Sequence, residues 1–171
     1  VAVAVALRVG GRVHVELVEA APTAHGISAL VRGIAGDASG AIWRVDGRSG
    51  AQTLIDRVRS ERGSLGDDLP DLDIEQVRVS DVTAYAQSFL DAVRERTLEW
   101  YLAPAEPGSE AAPDALTESV LTVTRRRIGS MGGWGFGGDN PTAAEAAAIA
   151  HWAAQTSPPG ADDEGMEVFF G

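Results

Sequence analysis

Residues 41–50 read Ala-Ile-Trp-Arg-Val-Asp-Gly-Arg-Ser-Gly, an apolar run that ends on a carboxylate and continues into a glycine-containing turn. The run has the length and composition of a short buried strand, and a stretch with helical spacing follows it. Asp46 is therefore predicted at the carboxyl end of a strand. In open α/β sheets ligands bind at that edge, because the loops diverge there and leave a crevice. The alternative interpretation of Asp46 is a solvated turn residue.

The segments around this run predict alternating strands and helices. Residues 1–19 alternate with period two on either side of Gly10-Gly11, which is typical of a β-hairpin with a glycine turn. Apolar residues at helical spacing follow, and Ser80 or Asp81 is suited to cap a longer helix. In chain order we predict strands at 1–8 and 12–19, a helix at 24–36, a strand at 41–46, a helix at 49–62, a strand at 74–79 and a helix from 80 or 81 through 98.

The remainder of the chain predicts a surface linker and two more helices. Residues 103–114 have the composition of a linker, and a short helix at 116–123 follows. Residues 125–136 are basic, then rich in glycine and aromatic residues, which suits a strand and a flexible loop near a ligand. The run Asp139-Asn140-Pro141-Thr142 predicts a helix start, with a capping side chain ahead of a proline in the first turn, for an alanine-rich helix at 143–154. We predict one domain over 1–156 and an acidic tail over 157–171.

Composition limits the classes of function. The 171 residues carry a formal net charge of −11, so any contact with nucleic acid has to be local rather than a basic face. The chain has no cysteine, which excludes disulfides and thiolate metal sites. Carboxylates suit hard cations such as Mg²⁺ or Mn²⁺. No apolar stretch reaches the length of a membrane span, so we expect an intracellular protein without a membrane partner. Because residue 1 is a valine already inside a strand pattern, we also expect further residues upstream.

An initial hairpin followed by alternating helices and parallel strands is the layout of the ribonuclease H-like fold. The fold class expected here is α/β, a ribonuclease H-like mixed sheet of an antiparallel hairpin plus parallel strands, flanked by helices. The chemistry of that fold needs carboxylates that converge from separate elements, because two divalent ions about 4 Å apart have to be held. Asp46, at the strand end, and Asp139, at the start of the last helix, have the placement for two of them.

The sequence also resembles the nuclease domain of the large terminase subunit of tailed bacteriophages, and the matching stretches occur in the family's order. They are Gly11 to Val18, Val45 to Arg48, Ala84 to Val93, Ala115 to Val120 with Arg125 to Arg127 behind it, Trp134 to Phe136, and Glu145 to Trp152.

The resemblance implies a metal-dependent endonuclease that cuts concatemeric viral duplex DNA during packaging by two-metal hydrolysis. The implied acids lie on the first strand, at Asp46 and at the start of the last helix. That last position falls on Asn140 without a gap and on Asp139 with one, and we favour Asp139 because an amide has no anionic oxygen. The family's first strand, with its acid, is expected upstream of residue 1, and Glu118 is a candidate further ligand.

The resemblance also implies partners and a location. The partners would be double-stranded DNA, a terminase ATPase domain upstream in the same polypeptide and the phage portal, in the cytoplasm of the infected bacterial host. Arg125, Arg126 and Arg127 are the predicted phosphate contacts, with Trp134 and Phe136 beyond them. Arg48, next to Asp46, is a further DNA-binding candidate. The alternative is a basic strand that pairs with the protein's own acids.

Two other functions stay open at this stage. A catalytically inactive domain of the same fold would serve as a docking module for the packaging motor or the portal, which the negative charge and the absent first acid favour. A small-molecule-binding α/β domain has only the strand-edge position of Asp46 in its support.

Overall fold

The computed structural model describes residues 1–21, 23, 27–37, 41–46, 51–60, 72, 74–101, 114–130 and 132–157. Residues 66–71, residues 103–113 of the predicted linker and residues 158–171 of the predicted tail lie outside these residues. The strands and helices are β1 (Ala2–Val9), β2 (Arg12–Ala20), α1 (Ile27–Asp37), β3 (Trp43–Val45), α2 (Ala51–Ser60), β4 (Ile74–Gln76), α3 (Val82–Glu95), β5 (Leu98–Trp100), α4 (Ala115–Thr122), β6 (Thr124–Ile128), β7 (Gly133–Gly137) and α5 (Thr142–Thr156).

The protein has an α/β architecture with both antiparallel and parallel strand pairs, which confirms the predicted class at that level. β2 pairs antiparallel with β1 and parallel with β5. β3 and β4 pair in parallel, and β6 and β7 form an antiparallel hairpin. The first hairpin turns at Gly10 and Gly11, whose φ angles of 56° and 81° lie in the region that favours glycine. Within the described residues these pairings make three separate sheets.

The helix predicted through residue 98 is shorter than expected, and a strand takes its last residues. α3 ends at Glu95 because Arg96 adopts a left-handed conformation, with a φ of 57°. The N–H of Thr97 then donates to the carbonyl of Ala92 at 3.0 Å and closes the helix end. Leu98 starts β5 beside β2. A non-glycine residue in this conformation is uncommon, so the sequence has no stop signal at this point.

The period-two pattern of β1 divides its side chains between two hydrophobic cores. Ala4 and Ala6 pack against the larger core, in which α5 buries several alanines. Val3 packs with the smaller core of α1, α2, β3 and β4. Small side chains on both surfaces let α5 lie close to β1. Arg8, near the end of β1, donates from Nη2 to the carbonyl of Ala154 at 2.6 Å, so β1 and α5 run in the same direction.

β3 contacts α5 as well but runs in the opposite direction. The guanidinium of Arg44 lies over the ring of Trp152, 4.7 Å from its centroid. Asp46, two residues further along, lies near Glu145 at the other end of α5. β1 and β3 are therefore antiparallel to each other under one helix. Among the described residues no backbone ladder joins them, and the outer edge of β1 has no strand partner.

Candidate functional site

Asp46 directly follows β3 and is exposed, and one of its carboxylate oxygens is bound by a residue of the core. Its Oδ2 accepts a hydrogen bond from the hydroxyl of Tyr85, with 2.7 Å between the two oxygens. Tyr85 is on α3, and its side chain is completely buried in the larger core. The predicted strand-end position of Asp46 is therefore confirmed, and the carboxylate has a rigid anchor.

Glu145, in the first turns of α5, is the second carboxylate of the site. Its side chain is 24% exposed, and an Nη2 of Arg126 lies 3.6 Å from its Oε1. Burial, first, and the negative charge of Asp46, second, raise the pKa of the Glu145 carboxyl, while the charge and hydrogen bond of Arg126 lower it in part. Two carboxylates from separate elements are thus near enough to influence each other electrostatically.

Both of these acids affect the pKa of the Tyr85 hydroxyl. Burial raises its pKa well above the ordinary value, and the hydrogen bond and the charge of Asp46 raise it further, followed by the charge of Glu145. The tyrosine is therefore a neutral donor. We call Asp46, Glu145, Tyr85 and Arg126 the carboxylate cluster.

Arg126 reaches Glu145 by lying across a strand that has no side chains on that face. The Nε of Arg126 donates to the carbonyl of Phe136 at 3.2 Å. A Cβ added to Gly137 would lie 2.8 Å from the Cβ of Arg126, so only glycine leaves room there. The other two glycines of β7, at 133 and 135, lie on the same face because side chains alternate along a strand.

The first turn of α3 holds the hairpin of β6 and β7 in place. The Oγ1 of Thr83 donates to the carbonyl of Trp134 at 3.0 Å and accepts from its N–H at 2.9 Å. Thr83 is two residues from Tyr85 on the same helix. One helical turn therefore positions both Asp46 and the strand that carries Arg126.

The start of α5 differs from the predicted capping arrangement. The residue at the N-cap position is Pro141, and no side chain of its own caps the helix. Instead Ser119 of α4, which is completely buried, donates to the carbonyl of Asn140 at 2.6 Å and accepts from the N–H of Ala144 at 3.1 Å. The prediction of a local cap by Asp139 or Asn140 is therefore wrong, because a packed neighbouring helix supplies the hydroxyl.

The other predicted ligands are not gathered around Asp46. Asp139 is exposed ahead of α5, and Glu118 is exposed in the first turn of α4. Within the part of the chain that the structure describes, no group of three or more Asp, Glu or His side chains is close enough to hold a metal ion. Arg48 lies outside the described residues. The ligand roles of Asp139 and Glu118 and the DNA role of Arg48 stay predictions.

The three predicted DNA-binding arginines separate by strand alternation. Arg126 lies on the opposite face of β6 from its two neighbours, and its Nη2 is 3.6 Å from the Oε1 of Glu145. Arg125 stacks over the ring of Trp134, 4.4 Å from its centroid, and Arg127 is directly opposite Trp134 in the hairpin. All three arginines are exposed, and the side chain of Arg126 is 51% exposed. The flexible glycine loop predicted beyond them is a regular strand instead, since its glycines alternate with Trp134 and Phe136 and obey period two.

Sequence reasoning missed two of the four residues of the carboxylate cluster. Glu145 is the only acid in an alanine-rich helix, which was the available signal. In the sequence Tyr85 is one of the apolar residues at helical spacing in α3, and its ring does pack in the larger core. Its hydroxyl finds Asp46 only in the tertiary structure.

Comparisons with known protein families, with curated proteins and with solved structures find no match for this chain. None of the described helices is both long enough and apolar enough to cross a membrane.

The donor set of the cluster fits one hard divalent cation. Mg²⁺ is commonly held by one or two carboxylates that share it with water and substrate phosphate. Asp46 is open to solvent and, among the described residues, its Oδ1 has no hydrogen-bond partner. Two closely spaced ions would need more anionic ligands than Asp46 and Glu145 provide.

Proposed function

We propose that this chain is a metal-dependent endonuclease domain with a ribonuclease H-like fold, of the kind found in phage DNA-packaging terminases. The observation that carries the proposal is that Asp46, at a strand end and held by the Tyr85 hydroxyl at 2.7 Å, lies near enough to Glu145 of the last helix for its charge to raise the Glu145 pKa. That placement supports a nuclease because hydrolysis of a phosphodiester by this class requires acids from separate elements at one sheet edge. The resemblance of the sequence to terminase nucleases supports the substrate, concatemeric duplex DNA.

Asp46 and Glu145 would hold Mg²⁺ or Mn²⁺ between β3 and α5. When bound, such a cation lowers the pKa of a water molecule and withdraws charge from the phosphate. Arg126 limits the repulsion between the two acids by keeping a positive charge against Glu145. Arg125 and Arg127, which are exposed on the hairpin, would bind DNA phosphates.

The site as described has one acid fewer than a two-ion mechanism needs, and the open sheet indicates where another would enter. β1 and β3 are antiparallel, lie under α5 and share no ladder. An additional strand between them would end beside Asp46 if it ran parallel to β3. We therefore place the expected upstream strand, with its acid, in that position. An ATPase domain further upstream, the portal as partner and the cytoplasm of the infected host belong to the same proposal.

A second candidate function is a docking module of the same fold without activity. The net charge of −11 favours it, because duplex DNA is repelled by an acidic surface. In that case Asp46 and Glu145 would be a structural pair held by Tyr85 and Arg126.

Nicking of a supercoiled plasmid in Mn²⁺ tests the two functions. We expect cleavage by the chain, and more by a form extended upstream. Asp46→Ala and Glu145→Ala should each reduce it at least about 100-fold, because loss of an anionic ligand removes several kcal/mol of transition-state stabilisation.

Two further variants complete the comparison. Glu95→Ala, an exposed acid at the far end of α3, is the matched control and should cleave normally. Asp139→Ala shows whether Asp139 or Glu145 is the metal ligand at the start of the last helix. This variant should still cleave DNA if Glu145 is the ligand. No cleavage by either form of the chain in Mn²⁺ would favour the docking module.

A further inference from the structure

Asp46 is an exposed side chain with an unusual support. Exposed carboxylates rotate broadly about their last torsion, because that torsion has no sharp staggered minima. Here Oδ2 is fixed by a hydroxyl whose ring is completely buried. The orientation of an exposed group is therefore set by the core.

The donor is suited to hold a carboxylate without competing with it. The hydroxyl of Tyr85 is neutral and donates its proton to Oδ2. It therefore occupies one oxygen of Asp46 and leaves Oδ1 available for a cation.

The ring of Tyr85 is held by more than its own packing. Thr83 in the same helical turn is tied to Trp134 by two hydrogen bonds, and Phe89, one turn further along, meets Phe136 at a centroid distance of 6.1 Å. α3 is thus attached to the hairpin at two points on either side of Tyr85. Movement of the hydroxyl away from Asp46 would disturb both attachments.

We propose that Tyr85 is a positioning residue that orients the Asp46 carboxylate for cation binding through its hydroxyl. This inference rests on the proposed function, since it assumes that Asp46 is a metal ligand. Partners that orient a ligand in this way typically change metal affinity about 10- to 100-fold when they are removed.

The test replaces the hydroxyl and keeps the ring. Tyr85→Phe is compared with Tyr101→Phe, the only other tyrosine of the chain, which is 65% exposed. Mn²⁺ binding is measured by electron paramagnetic resonance, and plasmid nicking is measured as a function of Mn²⁺ concentration. For Tyr85→Phe we expect both midpoints to rise at least tenfold, with cleavage restored at high Mn²⁺. Tyr101→Phe should match the wild type.

Two further measurements separate positioning from a general effect on folding. In an Asp46→Asn background the removal of the Tyr85 hydroxyl should produce no additional change in Mn²⁺ binding. In the wild type, the Tyr85 hydroxyl proton should exchange slowly enough to be seen by nuclear magnetic resonance, and Asp46→Asn should alter its signal. This last observation needs no folded Tyr85→Phe protein.

The possible failures are distinguishable. If the wild type binds Mn²⁺ and Tyr85→Phe binds it equally well, the positioning role is wrong and the proposed function stands. A Tyr85 hydroxyl signal that is absent, or insensitive to Asp46→Asn, overturns the positioning role in the same way. If the wild type neither binds Mn²⁺ nor cleaves DNA, the proposed function fails and takes this inference with it.

Discussion

The hydroxyl of Ser119 accepts a hydrogen bond from the N–H of Ala144 and so caps a helix to which it does not belong. The same hydroxyl donates to the carbonyl of Asn140, the second residue before α5 begins. α4 and α5 are therefore joined through one buried oxygen. Because Glu145 directly follows Ala144, this oxygen also fixes the position of the second carboxylate relative to Asp46.

Ser119→Ala should lower the free energy of unfolding by about 1–3 kcal/mol, because it removes a helix cap and leaves the buried N–H of Ala144 without its partner. Urea denaturation followed by circular dichroism measures this. Ser130→Ala, in the exposed turn between β6 and β7, is the matched control and should change the midpoint little. Equal midpoints for the two variants would show that the bridge between α4 and α5 is not formed in solution.

Gly137→Ala should destabilise the hairpin of β6 and β7 and displace Arg126 from Glu145. The added methyl would lie 2.8 Å from the Cβ of Arg126, closer than real side chains approach each other. We expect a loss of about 1–3 kcal/mol in unfolding free energy, the usual cost of overpacking. Gly33→Ala in α1 is the control, since its methyl meets nothing within 4 Å and alanine favours helix, so that variant should be slightly more stable.

The three consecutive arginines should separate in a DNA-binding experiment. Arg125→Ala and Arg127→Ala should each weaken binding and reduce the slope of log affinity against log salt by about one unit, as the loss of a phosphate contact does. Arg126→Ala should leave the slope unchanged and impair cleavage, because its partner is Glu145. Arg94→Ala is the control for loss of a positive charge elsewhere on the protein, because Arg94 lies at the end of α3 away from the hairpin of β6 and β7. A reduced slope for Arg126→Ala would place its side chain on the DNA instead.

His151 should make the protein sensitive to acid. Its side chain is completely buried, and within the described residues neither ring nitrogen has a hydrogen-bond partner. Burial lowers the pKa of this imidazole below its ordinary value. The unfolded chain then binds the proton more readily, so the stability present above about pH 6.5 is lost as the pH falls through the folded-state pKa.

His151→Phe removes this proton uptake and should reduce the loss of stability between pH 7.5 and pH 5, as measured by urea midpoints. His14→Gln is the matched control, because His14 is exposed on β2. The contribution of His151 is excluded if the wild type and the His151→Phe protein lose stability in parallel.

Features of the site that depend on neighbouring residues in the sequence could be predicted, and features that depend on contacts between distant residues could not. The place of Asp46 could be predicted because a short apolar run that ends in an acid and a glycine is a local signal. The separation of Arg126 from its two arginine neighbours could also have been predicted, since period two puts it on the opposite face once the segment is a strand. The position of Glu145 near Asp46 could not be predicted from the sequence, because it depends on the direction in which α5 crosses β3.

The elements of the fold likewise divide into those encoded locally in the sequence and those that depend on distant residues. The hairpin of β1 and β2 has eight or more residues per strand and a clear alternation, so its prediction is confirmed. β5 has three residues, Leu98–Trp100, too few to show a period, and it exists because β2 offers an edge to pair with. The cap of α5 by Ser119 likewise comes from a residue 25 positions away along the chain.

The outer edge of β1 also bears on the self-association of this chain at high concentration. Eight residues with a single charge, at Arg8, present backbone donors and acceptors that no described strand occupies. Such an edge is a template onto which another copy adds. We therefore expect this chain to self-associate through that edge when it is concentrated.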